Sequence, residues 1–185
     1  MSTLMNILGF QISWFASVLG AAKGLSWLGP LAVTMWLTLH ISMAPNRMAE
    51  ACLALSAGVL GFLLDTLLIA SGVFVPVQYL WPAPFSPLWM VFLWINFATL
   101  LNRSLGWLHG RYLLALLLGT LGGPAAYYSG AELGAIVRFP HDKNLILLAV
   151  AWGLAMPVVL WLANDFEKRL GTTPRATRTG TDISL

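Results

Sequence analysis

Long apolar runs separated by short polar connections make up most of this chain. Six of them approach the roughly 20 residues that a helix needs to cross a bilayer. They cover residues 4–22, 26–43, 51–74, 87–101, 112–131 and 144–163. The second and fourth runs are short, so we expect interfacial aromatic residues or a thinner bilayer to accommodate them. The pattern predicts an all-α, polytopic transmembrane bundle of six helices.

The end of the chain has a different character. From residue 164 onwards the apolar periodicity is lost, and the sequence becomes rich in Thr, Arg and Gly. We therefore divide the chain into a transmembrane bundle, 1–163, and a polar, disordered cytoplasmic tail, 164–185. The first run is interpreted as a helix of the bundle rather than a cleavable signal peptide, because no Lys or Arg precedes Lys23 and Gln11 interrupts the apolar residues.

The composition agrees with a membrane location. Hydrophobic residues make up 58% of the chain and charged residues only 9%, a balance that cannot cover a water-facing surface. The net charge of +3 comes from residues in the connections and the tail, which topology explains better than nucleic-acid binding. We expect the partners to be membrane lipids and a membrane protein or a second copy of the chain, with no nucleic acid.

Lysine and arginine are divided unevenly between the two sides of a six-helix bundle. One side holds Arg47, Arg103, Arg111, Lys168, Arg169, Arg175 and Arg178. The other side holds Lys23, Arg138 and Lys143. Because cytoplasmic connections carry an excess of basic residues, the asymmetry predicts a multi-pass protein of the bacterial inner membrane with both termini in the cytoplasm.

One acid lies in the third run. Between residues 51 and 102, Asp65 is the only Asp, Glu, Lys, Arg or His. Small residues recur with it at helical spacing: Ala54, Gly58, Gly61 and Gly72. Such a face lets a neighbouring helix approach closely, so Asp65 is expected to point into the bundle. There it either joins helices by hydrogen bonds or binds a proton, an ion or a substrate.

Four other polar side chains are expected at a depth similar to that of Asp65. They are Gln11 on the first helix, Asn96 on the fourth, and Tyr127 and Tyr128 on the fifth. Amide side chains in membrane helices commonly form hydrogen bonds between helices. Together with Asp65, the four residues predict a polar ligand-binding pocket.

Two irregular features accompany this candidate pocket. The connection at residues 75–87 carries four prolines, three aromatic residues and no charge, which is typical of an interfacial anchor or of a lid over an outward-facing cavity. Pro124 in the fifth run predicts either a functional break or a plain kink in that helix.

Catalytic and metal-binding motifs are missing from the sequence. There is no HExxH, CxxC or GxSxG motif and no glycine-rich phosphate loop, and His40, His109 and His141 fall in different connections. Cys52 is the only cysteine, so no internal disulfide can form. We expect no metal and no cofactor.

Several segments resemble a bacterial family of short inner-membrane proteins known as a domain of unknown function. They lie at residues 6–15, 18–24, 61–68, 87–90 and 122–127. The resemblance extends to residue 163 and brings no catalytic residues with it. It implies an association with genes for fatty-acyl modification, such as cyclopropane synthesis.

Three functional hypotheses follow. The favoured one is a non-catalytic accessory or scaffold protein that acts with enzymes of membrane-lipid metabolism, because packing faces are prominent and catalytic motifs are missing. The second is a small transporter or proton-coupled permease that uses Asp65, Asn96 and the two tyrosines. The third is an intramembrane enzyme with Asp65 as acid or base.

Overall fold

The computed structural model describes residues 1–137, 139 and 143–171. In these residues six α-helices follow one another: α1 Thr3–Ala22, α2 Leu28–Ser42, α3 Arg47–Ala70, α4 Leu88–Leu101, α5 Tyr112–Glu132 and α6 Lys143–Leu170. A 3₁₀ turn at Gly106–Leu108 and two short strands, β1 Val75–Pro76 and β2 Ile136–Val137, lie in the connections. The prediction of an all-α fold with six helices is confirmed.

Contacts between helix ends show that successive helices run in opposite directions. Ser104, which follows α4, donates a hydrogen bond from Oγ to Oδ1 of Asn6 near the start of α1, at 2.6 Å. Asn144 at the start of α6 donates from Nδ2 to the carbonyls of Gly72 and Val73, which follow α3, at 3.2 and 3.0 Å. We call the end of the bundle where α1 begins the amino-terminal end, and the other the opposite end.

The helices pack as a connected series. α5 packs along α6, α6 packs on α3, α3 packs on α4, and α4 contacts both α1 and α2. α1 and α2 pack together as a hairpin. Since α5 is attached to the bundle chiefly through α6, a gap is left between α5 and α1.

Apolar side chains face outward and several polar side chains face inward. Leu55 and Leu113 are 69% and 74% exposed, whereas Asn6 and Asp65 are fully buried. α1, α3 and α6 are each long and apolar enough to cross a membrane, and α2 and α4 are shorter apolar helices. The crossing of a membrane by all six helices stays a prediction.

The third helix begins and ends earlier than predicted. It was expected at residues 51–74 and runs over Arg47–Ala70. The side chain of Asn46 caps its first turn. Gly72 has a φ of 70°, so the chain turns back and the Val73 amide reaches a helix carbonyl at 2.9 Å. Gly72 therefore belongs to the turn, and its assignment to the small face of the helix was wrong.

The sixth helix is longer than predicted. It continues to Leu170, so residues 164–170 of the expected tail are helical. Arg169 Nε lies 2.8 Å from Asp165 Oδ1, one helical turn away, which supports this last segment. Residues 172–185 lie outside the described part of the chain, and the division into bundle and tail stays a prediction.

The proline-rich connection folds over the opposite end of the bundle. We call residues 75–87 the strap. β1 pairs antiparallel with β2, which ties the strap to the connection between α5 and α6. Phe85 stacks on Phe62 of α3 with ring centroids 6.3 Å apart, and Trp89 Nε1 donates to the Gln78 carbonyl at 3.2 Å. The strap therefore packs on the helices that it connects.

Candidate functional site

Two tryptophan rings occupy the place where four helices meet. Trp94 of α4 and Trp152 of α6 stack with centroids 4.3 Å apart and planes 15° apart; we call them the tryptophan pair. A Cβ atom on Gly61 of α3 would lie 2.0 Å from Trp94 Cγ, and one on Gly123 of α5 would lie 2.1 Å from Trp152 Cγ. Because only glycine leaves room for the rings, these two positions set how closely α3 and α5 approach.

Asp65 and Tyr127 lie one helical turn beyond these glycines. The Asp65 carboxylate accepts a hydrogen bond from the Tyr127 hydroxyl at Oδ1, 2.5 Å, and one from Trp94 Nε1 at Oδ2, 3.0 Å. Both donors are neutral, and both carboxylate oxygens have a partner. Asp65 therefore joins α3 to α4 and α5.

The structure does not bring the five predicted pocket residues together. Asp65 and Tyr127 are in direct contact, but Asn96 donates from Nδ2 to the Phe10 carbonyl at 2.9 Å, in the seam between α4 and α1. Gln11 and Tyr128 line a shallow groove between α1 and α5. The single polar pocket is thus not assembled in the described residues, because amide and tyrosine side chains at similar depth point to different helix seams. A ligand-binding role for each residue stays a prediction.

α5 is continuous through its proline. Pro124 lies inside the helix, which runs unbroken to Glu132. Of the two predicted alternatives, the break was wrong, and the plain kink stays a prediction. Proline is tolerated where neighbouring residues compensate for the freed backbone group, and Trp152 packs against this part of α5 at Gly123.

A cavity of about 340 Å³ lies beside the tryptophan pair. α1, α4, α5 and α6 contribute its wall, which includes Phe10, Trp14, Leu93, Phe97, Trp152 and Met156. None of the lining side chains is charged, and Tyr127 supplies the only hydroxyl. The volume falls within the roughly 300–1,000 Å³ that ligand-binding pockets span.

The cavity adjoins the groove between α1 and α5 and is lined by buried residues at the opposite end of the bundle. Phe10, Trp14 and Ala126 line both the cavity and this groove, so the two spaces lie next to each other. At the opposite end the wall includes Trp89 and Ile136, which are both buried. These two residues lie where the strap is hydrogen-bonded to the bundle and to β2.

Asp65 does not line this cavity, although its two hydrogen-bond donors do. Trp94 and Tyr127 are both part of the wall. They stand between the carboxylate and the cavity, so a molecule in the cavity meets aromatic rings rather than the acid.

A second buried acid, missed by the sequence analysis, lies at the amino-terminal end. His40 Nε2 is 3.0 Å from Glu50 Oε2, and the two side chains are 0% and 3% exposed. Asn102 Nδ2 lies 3.4 Å from Glu50 Oε1. We call the first contact the His40–Glu50 pair. It joins α2 to α3, and Asn102 extends the contact to the end of α4.

Glu50 was missed because the third helix was expected to begin at residue 51, which left this acid in a connection. His40 was assigned to a connection as well. One feature of the sequence does indicate this contact. Glu50 follows His40 by ten residues, across a short link between two antiparallel helices. That spacing places both side chains at the same end of a hairpin.

Within the described part of the chain, no group of three or more His, Cys, Asp or Glu side chains is placed to hold a metal ion. Cys52 is a free, partly buried thiol. Arg138 and His141, in the charged connection before α6, lie outside the described residues.

Most of the chain matches the model of a protein family. The model of a family described as "Protein of unknown function (DUF2878)" matches residues 3–158. No curated protein and no solved structure matches the chain. The matched residues include the Asp65 contacts, the tryptophan pair and the cavity wall, so these features lie within the part that defines the family.

Proposed function

We propose that this chain, which belongs to the DUF2878 family of proteins of unknown function, binds the hydrocarbon chain of a lipid within the bacterial inner membrane. It does so without catalysis, as an accessory protein to enzymes of membrane-lipid metabolism. The observation that carries the proposal is the apolar cavity beside the tryptophan pair, which adjoins the groove between α1 and α5.

The membrane location is supported by the outer surface of the bundle. Large apolar side chains are exposed along the helices, and three helices have the length and hydropathy to cross a bilayer. Most basic residues of the described chain lie at the amino-terminal end, namely Arg47, Arg103, Arg111, Lys168 and Arg169, whereas Lys23 and Lys143 lie at the opposite end. This distribution favours a cytoplasmic location for that end.

In a bilayer, the groove between α1 and α5 that adjoins the cavity faces acyl chains rather than water. A molecule that enters there comes from the hydrocarbon phase and meets an uncharged wall. Transfer from one hydrocarbon environment to another gains little hydrophobic free energy, so binding depends on dispersion contacts and on shape. The aromatic rings of Phe10, Trp14 and Phe97 therefore favour a chain that fits the cavity.

The surroundings of Asp65 favour the accessory function over transport or catalysis. An acid–base group has to reach its substrate, whereas Trp94 and Tyr127 separate Asp65 from the cavity. Both carboxylate oxygens already accept hydrogen bonds. Flux into proteoliposomes that is present in the wild type and lost in Asp65→Asn would favour a transporter instead.

Filling the mouth of the cavity tests the proposal. Gly122 lines the cavity, and a Cβ atom there would meet no neighbour within 4 Å. We expect Gly122→Phe to fold and to lose most of the lipid that the wild type retains on purification, measured by mass spectrometry of extracted lipid. Leu121→Phe is the matched control, because Leu121 is 71% exposed and does not line the cavity.

The proposal fails if Gly122→Phe retains as much lipid as Leu121→Phe while both variants stay monodisperse.

The accessory role has a separate test in cells that lack the protein. Asp65→Asn should restore the wild-type membrane-lipid composition, and Gly122→Phe should not.

A further inference from the structure

We infer that the cavity binds one acyl chain of a phospholipid lengthwise, with the methyl end of the chain against the strap and the phosphate at the amino-terminal end of the bundle. The inference rests on the proposed function, because it assigns a class of lipid and an orientation to the ligand of the same cavity. It starts from the shape of the cavity wall.

The cavity is long and follows the direction of the helices. Its lining extends from Trp89 to Leu100 along α4 and from Leu118 to Gly130 along α5. At about 1.5 Å per residue, each of these stretches is about 16–18 Å long. One leaflet fills half of a hydrocarbon core about 30 Å thick, so an acyl chain in its leaflet extends over about 15 Å. The cavity therefore has the length and the direction of one lipid chain.

The cavity is also narrow. Its volume of about 340 Å³ is near the lower end of the range for ligand-binding pockets, and this volume is distributed over the length of an acyl chain. Such a space suits one linear, flexible chain, whereas a fused ring system needs greater width. The second chain of a diacyl phospholipid lies in the adjoining groove between α1 and α5.

The wall at the opposite end is buried and tied to the strap. Val18, Trp89 and Ile136 line this end and are 2%, 2% and 5% exposed. Trp89 donates a hydrogen bond to the Gln78 carbonyl of the strap, and Ile136 pairs with Pro76. The lining here holds no cationic side chain, so a phosphate would be buried without a counter-charge. This end therefore suits the methyl group of the chain.

The amino-terminal end of the cavity is more exposed and lies near basic residues. Leu118 is 39% exposed, and Leu105 is partly buried. Leu105 belongs to the connection between α4 and α5, which also contains Arg103 and Arg111. Arginine side chains at a membrane surface attract lipid phosphate. The headgroup is therefore expected at this end, in the leaflet that the proposed function assigns to the cytoplasmic side.

Chain length provides the first test. The probes are lysophosphatidylglycerols, which carry a single chain, with even numbers of carbons from ten to eighteen, and they are added to purified protein in detergent. We expect the affinity of the wild type to rise with chain length and then to fall, once the chain is longer than the space that ends at Trp89 and Ile136.

Two variants at the closed end should move this optimum in opposite directions. At Gly130 a Cβ atom would lie 3.5 Å from Ile136 Cδ1, an ordinary contact, so Gly130→Val fills part of the cavity and should shift the optimum one step shorter. Ile136→Ala removes side-chain atoms from the same end and should shift the optimum one step longer. Gly122→Val is the matched control, because Gly122 lines the cavity on the same helix but away from its closed end. It should weaken the binding of every probe and leave the optimum in place.

The orientation of the chain has its own test, which needs no variant. A lysophosphatidylglycerol with a photoreactive diazirine at the last carbon of its chain is crosslinked to the wild type, and the labelled residues are identified by mass spectrometry. We expect labelling of Met90 or Ile136 at the opposite end, rather than of Leu105 or Leu118.

Three results would overturn the inference alone, provided that the wild type retains lipid on purification: binding of none of the probes, an optimum that stays in place in both Gly130→Val and Ile136→Ala, or crosslinks to Leu105 or Leu118. Wild-type protein that retains no lipid and binds no probe would overturn the proposed function and the inference with it.

Discussion

Asp65 and Glu50 are both buried acids, but they have different kinds of partner. Asp65 accepts hydrogen bonds from two neutral donors, Trp94 and Tyr127. Glu50 lies beside His40, an imidazole that is itself able to carry charge. Burial of an acid therefore does not define its role. The neutral donors make Asp65 a joint between helices, whereas the His40–Glu50 contact is an ion pair only when the imidazole is protonated.

The two regions also differ in what surrounds them. Asp65 lies next to a close-packed ring stack and is shielded from the cavity. Around the His40–Glu50 pair, His40 Nδ1 and Asn102 Oδ1 are buried without a hydrogen-bond partner in the described residues. Both carboxylate oxygens of Asp65 have a partner, whereas the second region retains capacity for further hydrogen bonds.

The largest expected loss of stability comes from overpacking the region of Asp65. In Gly61→Leu the new side chain would overlap the Trp94 ring and displace the indole that donates to Asp65. We expect the variant to lose about 3 kcal/mol of stability, at the upper end of overpacking costs, or to fail to fold. Thermal unfolding in detergent measures this loss. Gly122→Leu, where a Cβ atom meets no neighbour, should unfold close to the wild type, and equal losses in both variants would contradict the account of the tryptophan pair.

A pair of amide substitutions sharpens the comparison of the two acids. Asp65→Asn places an NH₂ group opposite two donors, Trp94 Nε1 and the Tyr127 hydroxyl, so one of them loses its acceptor. Glu50→Gln keeps an oxygen for Asn102, and its NH₂ group suits a neutral His40. We expect Asp65→Asn to cost about 1–3 kcal/mol, the penalty of a buried unsatisfied group, and Glu50→Gln to cost less. Unfolding midpoints in the opposite order would show that the Glu50 region depends on a charged pair.

The smallest expected loss of stability comes from removing the Tyr127 hydroxyl. Tyr127→Phe removes one donor from Asp65 and keeps the ring that packs on Phe74 and Trp152. We expect a loss of about 0.6 kcal/mol, the average for hydrogen bonds between membrane helices, and no more than about 1.7 kcal/mol. Tyr128→Phe, at a neighbouring side chain that is 51% exposed, should change the unfolding midpoint little. Similar shifts for the two variants would argue against a structural role for the Tyr127–Asp65 contact.

Properties that depend on local sequence could be predicted, and those that depend on register between helices could not. Six apolar runs indicate six helices, and the spacing of Gly61 and Asp65 indicates a small, inward face. Nothing in the third or the fourth run specifies that Trp94 fills the space above Gly61, because that contact depends on the position of α3 along α4. The cavity was beyond prediction for the same reason, since its wall comes from four helices distant in sequence.

The remaining differences between the predicted and the observed structure concern the ends of α3 and α6. Counting apolar residues ends α6 too early, because a helix can continue past the hydrocarbon as a charged turn such as the one that contains Asp165 and Arg169. The same method starts α3 too late, because Asn46 caps the helix before its apolar run begins. That error removed Glu50 from consideration.

The most direct measurement of the central claim is an experimental structure of the protein in a lipid bilayer, at a resolution that shows bound lipid. We expect elongated density in the cavity, in contact with Trp152 and extending past Gly122 into the groove between α1 and α5. A chain of ordered water in the cavity, or α1 packed directly on α5 with no space between them, would contradict the account.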